Sequence, residues 1–505
     1  MFLNLKKLKI VLHQLKFNNK KIGLCHGVFD IIHIGHIKYF SEAKNNCDYL
    51  IVSVTNDKFV KKGSGRPFFK LNQRVEFLKS IKHIDEVIVS DNETSENIIE
   101  LIKPDVYFKG SEYKNLEEDI TQNIKKEINL VKKYGGITKF TSGITYSSSK
   151  LINNMSDSYN SEQKKFVKKI IKKNNLAKIT NILNSFQDIK ILIIGEIIID
   201  KYTFCETIGK AGKEPHLVLR NKYSEKYLGG AGLVANNISS FCNKVDLLSL
   251  IDAERKNFQF INKRLKKNIT KIFFKNSDSP NITKERYIDE ITGNKIIGNY
   301  ILEKSEINKK LEKKIISKLK KNIKNYDLIV VADYNHGFVT KKIANFLSSN
   351  SKFLAINSQL NATNFGYHNF SKFHRSDLLI ANENEIRHDV RDKIKKISEI
   401  VNKFKKIRKI KKILVTRGSS GCNYYEKNNK KEIHCPAFSK SVVDKVGSGD
   451  FLMSIAILCV YTKTDPRLTL LLSSIAASFA VEKMGNAESL SKQDMLKYLK
   501  HHLFF

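Results

Sequence analysis

Short apolar runs ending in a glycine turn recur along this chain, and they constrain its fold more than any other feature. The first is Ile22–Leu24, leading into His26-Gly27-Val28-Phe29-Asp30. The second is Ile191–Ile194, leading into Gly195-Glu196. Each reads as a strand, a turn and then a helix. Between residues 49 and 108 the pattern repeats: Tyr49–Val54, Glu86–Ser90 and Val106–Phe108 read as strands, Gln73–Ser80 and Ile98–Ile102 as helices. Farther on, strands are expected at Leu328–Ala332, Phe353–Asn357, Leu378–Ala381 and Ile413–Thr416. Alternation of this kind predicts an α/β chain of parallel sheets with helices on their faces. The polar, aperiodic stretch 153–162 reads as a linker between a domain at 1–152 and another at 163–505. Helical spacing over Lys164–Phe186 predicts the entry helix of the second domain. The apolar stretches Phe451–Tyr461 and Leu468–Val481, each interrupted by serine, read as buried helices too short for a bilayer.

With 505 residues, the chain has room for two or three domains. A hydrophobic content of 41% excludes wholesale disorder. The net charge of +38 invites a nucleic-acid or anionic-membrane reading. Against it, about a dozen of the 89 cations are arginine, and the lysines are spread among Ile and Asn rather than clustered beside aromatics. Lys, Ile and Asn share AT-rich codons, so biased genome composition accounts for the charge. The seven cysteines are odd in number, widely spaced and without a C-x-x-C, which argues against a disulfide framework or a zinc site and fits a reducing cytosol. No secretory signal is read at the N-terminus, and a cytoplasmic protein is expected.

His33-Ile34-Gly35-His36 follows the first strand and opens a helix. Gly35 permits close approach of a phosphate, and the helix N-terminus favours one. Two imidazoles three residues apart share a helix face, where they can donate hydrogen bonds to an α-phosphate in transfer and to leaving pyrophosphate. Residues 22–152 resemble the nucleotidyltransferase superfamily with the H-x-G-H signature, on the stretch Gly27–His36 and on Gly65-Arg66-Pro67, Arg74, Asp85-Glu86-Val87, Lys103-Pro104-Asp105, Lys109-Gly110-Ser111-Glu112-Tyr113 and Ser147-Ser148-Ser149-Lys150. The resemblance implies His33 and His36 as catalytic residues. It implies nucleotide or phosphate contacts from Phe29, Gly35, Lys62, Arg66, Lys109, Ser147, Ser148 and Ser149, and a substrate contact from Asp30. The nucleotide would be ATP or CTP.

Asp444-Lys445-Val446-Gly447-Ser448-Gly449-Asp450 is a glycine-rich turn entering an apolar helix. Its exposed N–H groups form an anion cradle, and Asp450 stands where it can take a proton from an attacking hydroxyl. Gly229-Gly230-Ala231-Gly232, Asn382-x-x-Glu385 and Thr416-Arg417-Gly418 complete a resemblance to the ribokinase-like (PfkB) carbohydrate kinases over residues 190–500. It implies Asp450 as base and Gly447, Ser448 and Gly449 as anion hole, with Thr416 and Gly418 beside the nucleotide. Asp200, Gly229, Gly230, Asn237 and Asp333 would touch substrate, and Asn382 with Glu385 would organise Mg²⁺. Leu233 stands where the family's sugar-binding Asn is usual.

The fusion is similar to the family of bifunctional heptose-7-phosphate kinase / heptose-1-phosphate adenylyltransferases, with the order of the halves reversed. The expected fold is an N-terminal Rossmann-like nucleotidyltransferase domain followed by a ribokinase-like α/β domain. The expected function is phosphorylation of a sugar or sugar phosphate by ATP, and nucleotidyl transfer to a sugar 1-phosphate. A kinase-like half that serves only as a sugar-binding regulatory module is the alternative. Expected partners are sugar phosphates, nucleoside triphosphates and a second copy of the chain, with no nucleic acid and no membrane.

Overall fold

The computed structural model describes residues 5–60, 66–113, 123–141, 159–254, 256–302, 306–361, 370–426, 432–439 and 442–503. The chain divides into two compact units: Met1–Asn160 with Gln493–Phe505, and Ser161–Lys492. The sequence expectation ran the second domain to residue 505, whereas residues 493–505 group with the first unit. Within that unit the buried hydroxyls of Tyr159 and Tyr498 lie 3.5 Å apart.

The first unit is built on a parallel sheet of β1 (Ile22–Gly27), β2 (Tyr49–Thr55), β3 (Glu86–Ser90), β4 (Val106–Lys109) and β5 (Ile137–Phe140), in the order β3-β2-β1-β4-β5. Both faces are buried, so its strands read as nearly continuous apolar runs. Cys25, Val52, Val54, Val106 and Phe108 face the helices Ile34–Lys44 and Leu71–Lys79 through Phe40, Ala43, Val75 and Leu78. Ile22, Leu24, Ile51 and Tyr107 face the helices Leu5–Phe17, Glu96–Ile102 and Asn123–Lys133. The strand order reverses between β1 and β4. A crevice therefore opens at their carboxyl ends, where ligands of such sheets bind.

The larger sheet of the second unit has nine strands among the described residues: β6 (Ile191–Gly195), β9 (Val245–Asp252), β10 (Ile269–Asn276), β13 (Leu328–Asp333), β14 (Leu354–Ser358), β15 (Arg375–Asn382), β16 (Lys409–Thr416), β17 (Cys422–Glu426) and β18 (Ile433–Cys435). Their order is β10-β9-β6-β13-β14-β15-β16-β17-β18, parallel as far as β16 and antiparallel beyond it. Order reverses between β6 and β13. The helices Ser448–Tyr461 and Pro466–Val481 are buried along most of their length, as their composition predicts.

A separate four-stranded sheet, unforeseen in the sequence, orders β12 (Lys295–Ile301), β11 (Ile282–Asp289), β7 (Ile197–Lys210) and β8 (Leu217–Gly230) side by side. A helix was expected after Gly195-Glu196, and β7 stands there instead. The run Ile197-Ile198-Ile199 is β-branched, and all three side chains are buried. The expected entry helix is likewise two helices, Ser161–Ile171 and Leu176–Asn184. Asn175 separates them and accepts the Lys178 N–H at 2.8 Å as an N-cap. Among the described residues no helix is long and apolar enough to cross a membrane.

Candidate active sites

In the first unit the loop after β1 delivers two imidazoles to the start of the helix Ile34–Lys44. Phe29 takes a positive φ of 48° and is buried, with its ring edge-on to His36 at 5.7 Å. His33 caps the helix: its Nδ1 accepts the Gly35 N–H at 3.1 Å, and its own N–H points to His36 Nδ1 at 3.4 Å. The two rings lie 4.0 Å apart. An Nδ1 that accepts carries no proton, so both neutral rings hold their proton on Nε2. The pair thus presents two N–H donors side by side. The Gly35 amide, expected to meet phosphate, is committed to the cap.

Three other predicted contacts are occupied by internal partners. Asp30 accepts the Phe69 N–H at 3.0 Å and lies 3.6 Å from Arg66, both carboxylate and guanidinium being buried. Lys109, expected on the nucleotide, is buried with Glu127 at 2.9 Å. Burial alone would lower the Lys109 pKa and raise that of Glu127. Their mutual attraction reverses both, and Glu127 falls to about 2. Lys62, Ser147, Ser148 and Ser149 lie outside the described residues.

Arg74 belongs to the same set of motifs as the histidine pair. It is fully buried in the helix Leu71–Lys79 and donates to the carbonyls of Val28 (2.5 Å), Thr55 (2.9 Å) and Phe69 (3.0 Å) and to Asp57 (2.5 Å). One guanidinium therefore ties the histidine loop to the end of β2. Arg74→Ala strips these acceptors and is expected to destabilise the first unit by about 3–5 kcal/mol, read by urea denaturation. An unchanged midpoint would remove this clamp from the account.

In the second unit the helix Ser448–Tyr461 begins at Gly447, whose φ is 80°. A Cβ there would sit 2.0 Å from Asn486 Oδ1, so only glycine fits. Gly449 faces open space. Asp450, one turn in, is buried and accepts the Tyr334 hydroxyl at 2.7 Å. Burial raises its pKa to about 7; the Tyr334 bond opposes the rise and Asp200 adds to it. Asp200, on β7, pairs with Arg286 of β11 at 2.6 Å. A Cβ on Gly229 would lie 2.3 Å from Asp200 Oδ2, and one on Gly230 2.4 Å from the Glu196 carbonyl. Those two glycines let β8 pass closely over the Asp200 carboxylate and the Glu196 backbone.

Glu196, buried after β6, accepts the N–H groups of Tyr334 (2.9 Å) and His336 (3.2 Å). Burial and Asp333 raise its pKa to about 7. Asp333 was expected on substrate. It is fully buried, paired with Lys372 at 2.5 Å and bonded by Ser358 at 2.7 Å, so it braces the loop after β13. Asn237 is buried with neither amide atom hydrogen-bonded among the described residues, whereas Asn236 bonds the Arg264 carbonyl and the Lys266 N–H. Leu233 lines a pocket with Asn236, Arg264, Lys266 and Asn486.

At the ends of β15 and β16, Asn382 Nδ2 donates to the Thr416 carbonyl at 3.3 Å, and Gly418 takes a φ of 56°. Asn382 and Glu385 form a capping box. Asn382 Oδ1 accepts the Asn384 N–H (2.9 Å), and Glu385 accepts those of Asn382 (2.7 Å) and Leu360 (3.0 Å). These oxygens are spent on backbone, and among the described residues no group of three His, Cys, Asp or Glu is placed to hold a metal. The pair does not fit a direct Mg²⁺ ligand set.

One carboxylate joins the glycine turn to the four-stranded sheet. Asp444 accepts from Lys295 on β12 at 2.5 Å and from the Tyr202 hydroxyl on β7. The same side chain accepts the N–H groups of Val446 and Gly485, each at 3.1 Å.

A histidine pair at a helix start beneath a parallel-sheet crevice, and a buried aspartate behind a glycine turn, define a nucleotidyltransferase-like domain and a carbohydrate kinase domain. The chain belongs to the pfkB family of carbohydrate kinases, whose profile matches residues 188–493, and a cytidylyltransferase-like profile matches residues 24–154. Phosphofructokinase-2 from Escherichia coli shares the fold with a TM-score of 0.50 and 14% identity, over 63% of this chain and all of that one. Among curated proteins, the bifunctional protein HldE of Aliarcobacter butzleri is 39% identical over 133 residues, 26% of this chain and 27% of that protein. HldE of Campylobacter jejuni serotype O:2 is 44% identical over 103 residues, 20% of this chain and 22% of that protein. The matches thus span about a quarter of the length of these relatives.

Proposed function

We propose that the chain is a two-activity enzyme of nucleotide-sugar synthesis. The second unit phosphorylates a sugar or sugar phosphate of the heptose 7-phosphate type with ATP. The first transfers a nucleotidyl group from ATP or CTP to a sugar 1-phosphate and releases pyrophosphate. The observation that carries this reading is the placement of Asp450, dry, at the N-terminal turn of a helix and within the field of Asp200.

In the kinase step the Asp450 carboxylate takes the proton of an acceptor hydroxyl. That oxygen attacks the γ-phosphorus, the bond to the β-phosphate oxygen breaks, and ADP leaves. The N–H groups of Gly449 and Asp450, in the first turn of the helix, and the helix dipole receive the charge that develops. In the transferase step an oxygen of the sugar 1-phosphate attacks the α-phosphorus and pyrophosphate departs. The Nε2–H groups of His33 and His36 stabilise the crowded phosphate and its leaving group. Mg²⁺ would supply charge neutralisation on the nucleotide phosphates. Among the described residues no group of three His, Cys, Asp or Glu is placed to hold it directly. The reaction is placed in the cytoplasm with its nucleotides, in a homodimer that sedimentation would test.

The decisive measurement pairs ATP and CTP with heptose, hexose and polyol phosphates, and follows ADP and pyrophosphate release. Release of neither product rejects the reading. Pyrophosphate release without ADP, with sugar binding retained in the second unit, selects the regulatory-module alternative. The pH profile adds a further check. Asp450 acts as a base only when ionised, so kinase kcat/KM is expected to rise with pH through about 7. Tyr334→Phe removes a bond that holds this pKa down, and the limb is expected to move to higher pH. A limb unmoved in this variant would take Asp450 out of the profile.

A further inference from the structure

We propose that Cys422 and Cys435 are joined by peroxide into a reversible disulfide, and that this cross-link weakens nucleotide binding by the second unit. The nucleotide part of the inference rests on the kinase reading; the cross-link itself does not.

The two cysteines are direct partners in the antiparallel pairing of β17 with β18. Direct partners project to the same face of a sheet, with Cβ atoms about 4.5–5.5 Å apart. Both thiols are buried, and each sulfur lies 3.4 Å from the Ser474 hydroxyl on the helix Pro466–Val481. Cys435 also donates to the Cys422 sulfur. That bond lowers the Cys422 pKa against the effect of burial, whereas burial raises the pKa of Cys435. One thiol is thus readied as the nucleophile, and the other stands beside it as the resolving partner. β18 is three residues long and ends the order of its sheet, so little pairing has to open to admit a molecule the size of peroxide.

The Cys422 thiolate attacks one oxygen of hydrogen peroxide and the O–O bond breaks. The hydroxide that leaves takes up the proton Cys422 had shed. The Cys435 sulfur then attacks the sulfenic acid, and its proton goes to the departing hydroxide. Two thiols are oxidised to one disulfide, and one peroxide is reduced to two waters. A disulfide holds its Cβ atoms about 3.8 Å apart, so the strands are drawn together by roughly 1 Å. Gly421 stands in the way of that movement. Its φ is 83°, and a Cβ there would lie 2.1 Å from the Cys435 carbonyl. Cys422 also pairs with Thr416 across β16 and β17, and the Arg417 N–H closes the turn on the Gly421 carbonyl at 2.8 Å. The turn from Thr416 to Gly421, which the kinase reading puts beside the nucleotide, therefore moves with the cross-link. The same strain leaves the bond easy to reduce, which makes the change reversible.

The test uses the full-length protein, first reduced, then exposed to hydrogen peroxide, then returned to dithiothreitol. Peptide mass spectrometry reads the cross-link, calorimetry the affinity for ATP, and ADP release the turnover of sugar. A linked Cys422–Cys435 peptide is expected, with ATP bound at least fivefold more weakly and full recovery on reduction. Cys435→Ser should bind ATP within twofold of the reduced parent and should not respond to peroxide. Cys422→Ala should behave alike, and the linked peptide of the parent is read without either variant. No linked peptide, a linked peptide at unchanged ATP affinity, a loss that reduction does not reverse, or a peroxide response that survives in both variants overturns the switch. So does a reduced parent that binds no ATP. Reversible weakening of ATP binding in a protein that phosphorylates no sugar upholds the switch and overturns only the kinase reading. Sugar phosphorylation by a protein that forms no linked peptide overturns only the switch.

Discussion

Asp450→Asn is expected to lower sugar phosphorylation by about 10²–10⁴-fold, the usual contribution of a positioned general base. The substitution keeps the shape of the side chain and its contact with the Tyr334 hydroxyl, but an amide cannot take up a proton. It also removes a buried carboxyl whose ionisation is opposed by its surroundings, so stability should hold or rise. ADP release with saturating acceptor reads the effect. Pyrophosphate release by the first unit should be unchanged, because that chemistry is assigned to a separate compact unit. A loss under tenfold would show that Asp450 is not the base, and would return the second unit to the role of a sugar-binding module.

His36→Ala is expected to lower pyrophosphate release by about 10²–10³-fold, the scale seen when one donor to a developing anion is removed. The variant loses one Nε2–H and also the Nδ1 that receives the His33 N–H at 3.4 Å. Part of its effect would therefore come from a loosened His33. His36→Gln offers a side-chain amide donor, and partial recovery there separates the donor role from the capping role. ADP release should not change. Full activity in both variants would move the chemistry away from this helix start.

Features built from contiguous residues were legible in the sequence. His33 and His36 fall on one turn of one helix, and Gly447 to Asp450 fall on one turn and its helix, so their spacing alone places them together. Features built from distant segments were not. Arg286 meets Asp200 only because β11 pairs with β7 in a sheet that periodicity did not reveal. Much of β8, from Arg220 to Lys226, is exposed and charged, with no apolar run to mark a strand. Lys109 was read as a nucleotide contact because of its motif. Lys109 ends strand β4 and its partner Glu127 lies on the helix Asn123–Lys133, and a buried pair of that kind leaves no local trace. Asp333 and Glu385 show the same limit from the other side. Both belong to recognisable patterns, yet their oxygens are taken up by Lys372 and Ser358 in one case and by backbone N–H groups in the other.

The Asp444 carboxylate is one anchor shared by two parts of the kinase half. It holds the backbone of the glycine turn through Val446 and the four-stranded sheet through Lys295 and Tyr202. If a sugar displaces the sheet and a nucleotide displaces the turn, both act on this carboxylate. Each ligand is then expected to change the affinity of the other, and thermodynamic reciprocity makes the two factors equal. Saturation with sugar and saturation with nucleotide become two measurements of one coupling constant. Asp444→Asn, which weakens the grip on Lys295, is the place to look for its loss.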